Sequence, residues 1–241
     1  MSNHIAMWSG PRNLSTALMR SFENRPDCFV SDEPFYPFFL SKTGLNHPLR
    51  DEIIKCGNTN YEKIIEYITG PIPSLNNIWY QKHMAHHILP DSNMDWIRNM
   101  KNCLLIRHPN EVILSYIKKN VIENIKQLGY PQQIDIYKIL SKETESLPII
   151  IDAKDLLQNP KAMLMLLCKK LKIDFNQGML LWPFGARETD GIWGSHWYSE
   201  VRASTSFNPY IETKNKVPSK YIELYNECME YYDFLYEKRI I

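Results

Sequence analysis

The sequence predicts an α/β protein, a three-layer α/β/α sandwich around a mainly parallel central sheet. Short apolar runs alternate along the chain with longer segments whose apolar residues recur every three or four positions. The first pattern is typical of strands, and the second is typical of amphipathic helices. Because parallel strands need long crossover connections, this alternation favours a parallel sheet covered by helices on both faces.

The first strand, a polar loop and the first helix follow one another within Ile5–Arg20. Gly10 and Pro11 interrupt the apolar run, and helical spacing of apolar residues begins soon after them. We therefore expect the helix to begin inside the loop, with Asn13 or Ser15 as its cap. We call residues 10–16 the first loop.

The first loop has the features of an anion site. Its backbone N–H groups, the positive end of the helix dipole, the hydroxyls of Ser15 and Thr16 and the guanidinium of Arg12 should point toward one place. Phosphate is the anion that suits such a site best. The alternative is an ordinary β-α turn whose hydroxyls cap a helix. The common triphosphate-binding loop would need Gly and Lys at positions 15 and 16, where this chain has Ser and Thr.

A second strand is predicted over Asp27–Glu33, and it ends in two adjacent carboxylates, Asp32 and Glu33. Ligands of open parallel sheets lie beyond the carboxyl ends of the strands, so this pair should lie near the first loop. Either residue could also cap the helix that follows Pro34. We expect one carboxylate to do so, and we expect Glu33 to face the substrate or act in catalysis.

The third strand, Asn77–Met84, ends at Lys82 and His83, and His86 and His87 follow it closely. We interpret His83 as a general base beside the first loop, and the other two histidines as core or helix-surface residues. Three histidines can also suggest zinc. Since no carboxylate or cysteine falls at ligand spacing, we expect no metal site.

The fourth strand, Asn102–Pro109, is a continuous apolar run, as expected for a strand buried on both faces. It ends at Arg107, which could form a bidentate pair with a phosphate, and Ser115 on the next helix could donate to the same group. The alternative for the arginine is a surface salt bridge with Glu111, which would contribute little.

Two further elements complete the predicted fold. A fifth strand, Pro148–Asp152, precedes a leucine-rich helix that Asn159 and Pro160 introduce. The chain then closes with a helix over about residues 219–237 that carries one apolar stripe. We interpret this stripe as a face that docks on the sheet, not as a cofactor site.

The composition predicts one domain over residues 1–241, long enough to bury a full core. The formal net charge is only +1 and the charges are mixed, so we expect no nucleic-acid partner. With neither a leader segment nor a long apolar run, we expect a cytoplasmic protein that has no membrane partner. We interpret the five scattered cysteines as buried reduced thiols.

Four stretches resemble, in the same order, the motifs of sulfotransferases that use 3′-phosphoadenosine-5′-phosphosulfate (PAPS). Pro11–Thr16 resembles P-K-S-G-T-T, with Arg12 in the place of the lysine. Gln81–Ser92 resembles K-T-H-L-P-x-x-L-L-P-x-S, and Arg107–Ser115 resembles R-N-P-x-D-x-x-x-S. More loosely, Arg187–Trp197 resembles R-K-G-x-x-G-D-W-K-N-H-F.

The resemblance implies a P-loop-NTPase-like fold and transfer of the sulfuryl group of PAPS to a hydroxyl, less often an amine, of a small-molecule or carbohydrate acceptor. It makes His83 the catalytic base, with Glu33 as the second choice, and gives Arg12 a part in catalysis. After transfer the cofactor leaves as 3′-phosphoadenosine-5′-phosphate (PAP). The resemblance implies that its 5′-phosphate is held by Gly10, Pro11, Arg12, Asn13, Leu14, Ser15 and Thr16. It implies that the 3′-phosphate is held by Arg107, Ser115 and Arg187. No metal is required.

The chain also departs from the family's pattern. Ala17 stands where cytosolic members carry a tryptophan that stacks on adenine, and Glu188 and Thr189 replace the Lys-Gly of the late motif. Two other functions therefore stay open. One is a P-loop kinase or phosphotransferase, although its lysine is missing, and the other is a non-catalytic protein that binds a nucleotide.

Two irregular segments are candidates for covering the site. Residues 42–73 are rich in Gly and Pro, with short helices expected at Asp51–Cys56 and Tyr61–Thr69, and we predict that they form a lid over the acceptor. Residues 182–207, which we call the late loop, combine three tryptophans with an irregular backbone pattern. Such a segment is held by packing or folds over a ligand, and we predict that it covers the cofactor.

Overall fold

A five-stranded sheet organises the computed structural model, which describes residues 3–143 and 147–241. Every pairing among its five strands is parallel, and the strand order is β2-β3-β1-β4-β5. The strands are β1 (Asn3–Ser9), β2 (Cys28–Asp32), β3 (Ile78–Met84), β4 (Lys101–Ile106) and β5 (Ile149–Asp152). The predicted α/β/α sandwich with a P-loop-like sheet is confirmed.

Helices cover both faces of the sheet. In chain order the helices of the described residues are α1 (Ser15–Glu23), α2 (Tyr36–Thr43), α3 (Arg50–Cys56), α4 (Tyr61–Thr69), α5 (Pro109–Tyr116), α6 (Tyr130–Glu143), α7 (Ala153–Gln158), α8 (Pro160–Leu171), α9 (Gly194–Trp197), α10 (Ser199–Arg202) and α11 (Ile222–Tyr236). Among them, no helix combines the length and the apolar character that crossing a bilayer requires.

The central strand β1 shows why the molecule has three layers. Successive side chains of a strand point to opposite faces, so Ala6 and Trp8 enter one apolar cluster while Ile5 and Met7 enter the other. The first cluster includes residues of α4, α5, α6 and α11, and the second includes residues of α1, α7 and α8. The sheet is therefore buried on both sides, as the apolar run of β4 predicted.

The last helix docks as its apolar stripe predicts. Its buried residues are Cys228, Tyr232 and Leu235, and α11 packs against α5, α6, β4 and β5. The helix is shorter than expected, since residues 219–221 form a separate turn of 3₁₀ helix before it.

The cysteines follow the prediction with one correction. Cys28, Cys103, Cys168 and Cys228 are buried and all five thiols are free. Cys56 is exposed, because it is the last residue of the short surface helix α3.

The strand order brings the chemically interesting strand ends together. β1 lies between β3 and β4, with Ser9 paired to Met84 on one side and to Leu105 on the other. On the far side of β3, Asp32 pairs with Lys82. Because all the strands run the same way, the first loop, the carboxylates after β2 and the arginine after β4 meet at one edge of the sheet.

Candidate functional site

A cavity of about 470 Å³ lies at this carboxyl edge of the sheet. The first loop and the start of α1 line it with residues 11–17, and Arg107 and Ser115 line it from β4 and α5. Glu33 and Lys82 line it from the ends of β2 and β3. Most of the residues that the sequence singled out thus share one cavity.

The first loop reaches α1 without a side-chain cap. The N-cap is Leu14, with a left-handed φ of 69°, so the prediction that Asn13 or Ser15 caps the helix is wrong. The Nδ2 of Asn13 donates instead to the carbonyl of Leu105, 3.2 Å away, and so ties the loop to β4.

Gly10 has a packing role that the sequence did not reveal. It does not line the cavity. A Cβ at this position would lie 2.1 Å from the carbonyl oxygen of Leu128, in the turn before α6. The next residue of that turn, Gly129, has a φ of 79°, and a Cβ there would lie 3.0 Å from the Cα of Gly10. Two glycines therefore let the first loop and this turn touch through their backbones.

The structure brings Arg12, Arg107 and Ser115 together. The Nε of Arg12 donates to the Oγ of Ser115 over 2.9 Å. The guanidinium of Arg107 donates to the backbone carbonyl of Arg12 over 2.8 Å. The backbone at Arg12 is left-handed, with a φ of 63°, which a residue other than glycine adopts at some cost. Two cations and a hydroxyl thus meet over the first loop, as an anion site requires.

Carboxylates hold both of these arginines. The Nε of Arg107 donates to Glu111 over 2.8 Å, so the alternative predicted for this arginine also occurs. Glu111 in turn accepts from the hydroxyl of Tyr210 over 2.7 Å. Arg12 lies 3.5 Å from Glu200, whose side chain is 84% exposed. An anionic ligand at this end of the cavity would compete with these carboxylates.

Asp32 and Glu33 form a buried cluster with Lys82 and Tyr198. The Nζ of Lys82 donates to Asp32 over 2.8 Å, to the hydroxyl of Tyr198 over 2.7 Å, and to the Oε1 of Glu33. Neither carboxylate caps α2, whose N-cap Phe35 has no side-chain hydrogen bond, so that expectation is wrong. We call these four residues the carboxylate–lysine cluster. Tyr198, which lies in the late loop, had no signal in the sequence.

Burial and charge set the pKa values in the cluster. Burial raises the pKa of Glu33, while the positive charge of Lys82 lowers it and the negative charge of Asp32 raises it. Burial alone would lower the pKa of Lys82, but the two carboxylates raise it. The lysine therefore stays charged, and although its charge favours the ionised form of Glu33, burial outweighs that effect and the pKa of Glu33 is raised overall.

The structure places His83 away from the cavity. Side chains alternate along β3, so Lys82 and Met84 face the cavity while His83 points to the opposite face of the sheet. Its ring stacks on Trp8 with the centroids 4.5 Å apart, and its Nε2 lies 3.1 Å from the Oε1 of Gln81. Burial lowers the pKa of this imidazole to about 3. The geometry does not bring the expected base to the ligand.

His86 and His87 line the cavity, and His87 is also buried, as expected of a core residue. The ring of His87 stacks on Tyr36 at 4.6 Å, and its Nδ1 lies 4.0 Å from the Oε2 of Glu33. Burial lowers the pKa of both histidines, and the same holds for the neighbouring His47. These imidazoles are neutral at pH 7.

Arg187, expected on the 3′-phosphate, does not line the cavity. Its Nε lies 3.7 Å from a carboxylate oxygen of Glu23 at the end of α1. Nearby, Asp190 pairs with Arg20 of α1 and, over 3.0 Å, with Arg202. Arg20 is fully buried, and an arginine among the apolar residues of α1 was the sequence signal for this contact. These ion pairs attach the late loop to the first helix.

The two segments predicted as covers contribute unequally. From residues 42–73, only residues 46–48 line the cavity. The late loop lines it with Trp197, Tyr198, Glu200 and others, and the lining continues beyond the predicted boundary to residue 211. Their roles as a lid and a cofactor cover stay predictions. Within the described ranges, no three His, Cys, Asp or Glu side chains are grouped so that they could hold a metal ion.

The fold defines the class, an α/β protein of the P-loop-like type whose first loop lines a cavity at the carboxyl edge of the sheet. The chain belongs to the sulfotransferase family, since the model of the family described as "Sulfotransferase domain" matches residues 3–237.

Two plant proteins are similar in sequence. The chain is 33% identical over 232 residues to the Branched-chain-amino-acid aminotransferase-like protein 2 of Arabidopsis thaliana. It is also 33% identical over 231 residues to the Branched-chain-amino-acid aminotransferase-like protein 1 of the same plant. Each match covers 96% of this chain but 41% of the relative. The chain therefore spans less than half the length of these relatives.

Three solved structures share the fold. The sulfotransferase domain of the Synechococcus PCC 7002 olefin synthase superposes with a TM-score of 0.57 at 16% identity, over 94% of this chain and 95% of that one. A sulfotransferase from Alicyclobacillus acidocaldarius gives 0.55 at 10% identity, over 100% and 98%. The sulfotransferase domain from the curacin biosynthetic pathway gives 0.52 at 16% identity, over 95% and 98%.

Proposed function

We propose that the protein transfers the sulfuryl group of PAPS to a hydroxyl of a small-molecule or carbohydrate acceptor. Family and fold support a sulfotransferase enzyme, and the donor and the acceptor are our proposal. One observation carries it. A single cavity joins an uncapped anion loop with two arginines to a buried carboxylate that still has an oxygen free.

The residues of the first loop fit a phosphorylated donor. When bound, PAPS would supply an activated sulfuryl group on its 5′-phosphate. The N–H groups at the start of α1, with Ser15 and Thr16, would hold that phosphate at the positive end of the helix dipole. Arg12 would stabilise the charge that develops on the leaving oxygen. The cavity volume lies within the usual range of about 300–1,000 Å³ for small-ligand sites.

Arg107 and Ser115 would hold the 3′-phosphate and so select PAPS over ATP. Both line the cavity, and Arg107 presents a planar fork that suits two phosphate oxygens. Ser115 already accepts a hydrogen bond from Arg12, and its own hydroxyl proton can still donate. Arg187 is removed from this proposal, since it contacts Glu23 and not the cavity.

Glu33 replaces His83 as our proposed base. Oε1 of Glu33 accepts from Lys82 and lies 3.2 Å from the hydroxyl of Tyr198. Oε2 accepts no hydrogen bond from the described residues, and it lies 4.0 Å from the Nδ1 of His87. This oxygen would take the proton of the acceptor hydroxyl as the sulfuryl group transfers. A base positioned in this way contributes about 10²–10⁴-fold to the rate.

The acceptor end of the cavity favours an uncharged alcohol. Its histidines are neutral, and the carboxyl groups of Asp32 and Glu33 lie beside Lys82. The nearby cation is Lys82, whose three N–H groups are all committed within the carboxylate–lysine cluster. A carboxylate or phosphate on the acceptor would therefore find no free lysine donor at this end of the cavity. Tyr36 and Trp197 add aromatic surface that suits a sugar or a phenol.

Calorimetry with three nucleotides tests the proposal. We expect the protein to bind PAP more tightly than AMP, which lacks the 3′-phosphate, and more tightly than ATP with magnesium. Arg107→Ala should remove the preference for PAP over AMP, a loss of about 10–150-fold for a charge-assisted contact of about 1.5–3 kcal/mol. Arg107→Lys should restore part of it, because it keeps the charge but loses the fork.

The control is Arg98→Ala, since Arg98 pairs with Asp95 outside the cavity. It should leave all three affinities unchanged. If ATP with magnesium binds best, the kinase alternative replaces our proposal. If PAP does not bind to folded protein at all, the donor assignment is wrong.

A further inference from the structure

The hydroxyl of Tyr198 is the shared member of the carboxylate–lysine cluster. Its oxygen accepts from the Nζ of Lys82 over 2.7 Å and from the Nε1 of Trp193 over 3.0 Å. A phenol oxygen has two lone pairs and one proton, so both lone pairs are used. The proton remains for donation to a carboxylate. The hydroxyl oxygen that carries it lies 2.9 Å from Oδ1 and 2.8 Å from Oδ2 of Asp32, and 3.2 Å from the Oε1 of Glu33.

Within the described residues, every polar side-chain atom of the cluster except one has a hydrogen-bond partner. Asp32 accepts from Lys82, from Tyr198 and from the backbone N–H of Gly191 over 3.1 Å. Lys82 uses its three donors on the two carboxylates and the phenol. The exception is the Oε2 of Glu33. The cluster thus fixes one oxygen of Glu33 and leaves the other to the cavity.

The late loop carries Tyr198 to this position. Asp190, which is buried, pairs with the buried Arg20 of α1 and with Arg202 of α10. The next residue, Gly191, donates its N–H to Asp32. The segment 190–202 is therefore fastened at both ends, and the phenol of Tyr198 between these ends contacts both carboxylates.

We propose that Tyr198 is a positioning residue for Glu33, whose hydroxyl holds Lys82 between the two carboxylates and leaves Oε2 to the acceptor. This inference rests on the proposed role of Glu33 as the base. It also implies that Glu33 is positioned as a base only while the late loop packs against the carboxylate–lysine cluster. The titratable groups that face Glu33 are Asp32 on β2, Lys82 on β3, His87 after β3, Tyr36 on α2 and Tyr198 itself.

Removal of the Tyr198 hydroxyl should raise the pKa of Glu33 whichever carboxylate accepts the hydroxyl proton. If the proton goes to Glu33, its ionised form loses a hydrogen bond. If the proton goes to Asp32, that carboxylate draws Lys82 more strongly after the loss, and Glu33 shares the lysine less. Tyr198→Phe should therefore raise the pKa of Glu33 while the ring still fills its place.

The test is a ¹³C NMR titration of aspartate and glutamate side-chain carboxyls in the full chain, with Glu33 and Asp32 assigned by the signals that Glu33→Gln and Asp32→Asn remove. We expect Tyr198→Phe to move the Glu33 midpoint upward by about one pH unit, the size expected for one hydrogen bond to a charged group. The matched control is Tyr232→Phe. Tyr232 is also buried and donates to a carboxylate, Asp152, over 3.0 Å, but it lies outside the cavity. It should leave the Glu33 midpoint unchanged.

A near-isosteric probe guards against a variant that fails to fold. 3-Fluorotyrosine placed at position 198 has a more acidic hydroxyl, which donates a stronger hydrogen bond, so the Glu33 midpoint should move downward. An unchanged Glu33 midpoint in folded Tyr198→Phe protein overturns the inference, and so does a shift confined to Asp32. PAP calorimetry on the same samples separates the two proposals, because the donor proposal fails if PAP does not bind, whereas the titration reports on Tyr198 alone.

Discussion

Lys82→Met tests the electrostatic balance of the carboxylate–lysine cluster. The substitution keeps most of the side-chain volume and removes the ammonium, whose side chain is 1% exposed. Asp32 and Glu33 would then be two buried carboxylates without their cation. Breaking a buried pair by removing one partner costs about 3–5 kcal/mol, because the remaining charge stays buried and uncompensated. Since domains are stable by about 5–15 kcal/mol, this loss would be large.

The loss should depend on pH in a direction that the structure fixes. In the wild type the pKa of Lys82 is raised, so the lysine keeps its charge, and the stability that this charge provides is lost only at alkaline pH. In the variant, Glu33 loses the influence that lowers its pKa, and burial and Asp32 raise it further. A carboxyl whose pKa is raised in the folded state stabilises the fold at low pH and loses that effect as pH rises. The destabilisation should therefore be smaller at pH 5.5 than at pH 8.

Urea unfolding followed by tryptophan fluorescence at the two pH values measures this difference. The free energy of unfolding of the variant should fall with pH relative to the wild type by up to about 1.4 kcal/mol per pH unit, the limit for one proton. Lys101→Met is the control, because Lys101 donates to neutral oxygens of Asn3 and Leu171. Its cost should not vary over this range. Equal destabilisation of Lys82→Met at both pH values would refute the reasoning.

Two further predictions concern turnover and affinity. With an acceptor found by screening with labelled PAPS, Glu33→Gln should lower turnover about 10²–10⁴-fold while PAP affinity is retained. His83→Gln should lower the stability of the fold but leave turnover of the folded protein nearly unchanged. The reverse pattern would restore His83 as the base. Glu200→Gln should tighten PAP binding by up to about fivefold at low salt and less at high salt, because an exposed ion pair with Arg12 contributes about 0–1 kcal/mol. The control in the same calorimetry is Glu237→Gln, because Glu237 is an exposed glutamate after α11. If Glu200→Gln leaves the PAP affinity unchanged, the carboxylate of Glu200 does not compete with the ligand.

The sequence predicted the fold well and also brought Arg12, Arg107 and Ser115 to one edge of the sheet, because these features depend on short-range patterns. Apolar runs and helical spacing located all five strands of the described sheet to within a few residues, and the strand order then brought Arg107 and Ser115 to the first loop. The acceptor end depends on contacts between distant segments. Tyr198 reaches Asp32 across 166 positions of the chain, and no local pattern encodes such a contact.

The choice of base shows where local rules stop. Alternation along a strand puts Lys82 and His83 on opposite faces, so only one of them could reach the cavity, and the sequence did not say which.

The same rule would put Asp32 and Glu33 on opposite faces as well. β2 ends at Asp32, however, and Glu33 adopts a left-handed φ of 45°. This turn lets two successive carboxylates meet the same lysine. A residue other than glycine adopts this backbone only where the surroundings hold it. Its backbone N–H donates to the carbonyl of Lys82 over 2.9 Å, and its side chain accepts from the ammonium of the same residue. Lys82 thus fixes Glu33 through backbone and side chain together, and a strained, buried carboxylate with one free oxygen at a ligand cavity is the arrangement that a positioned base requires.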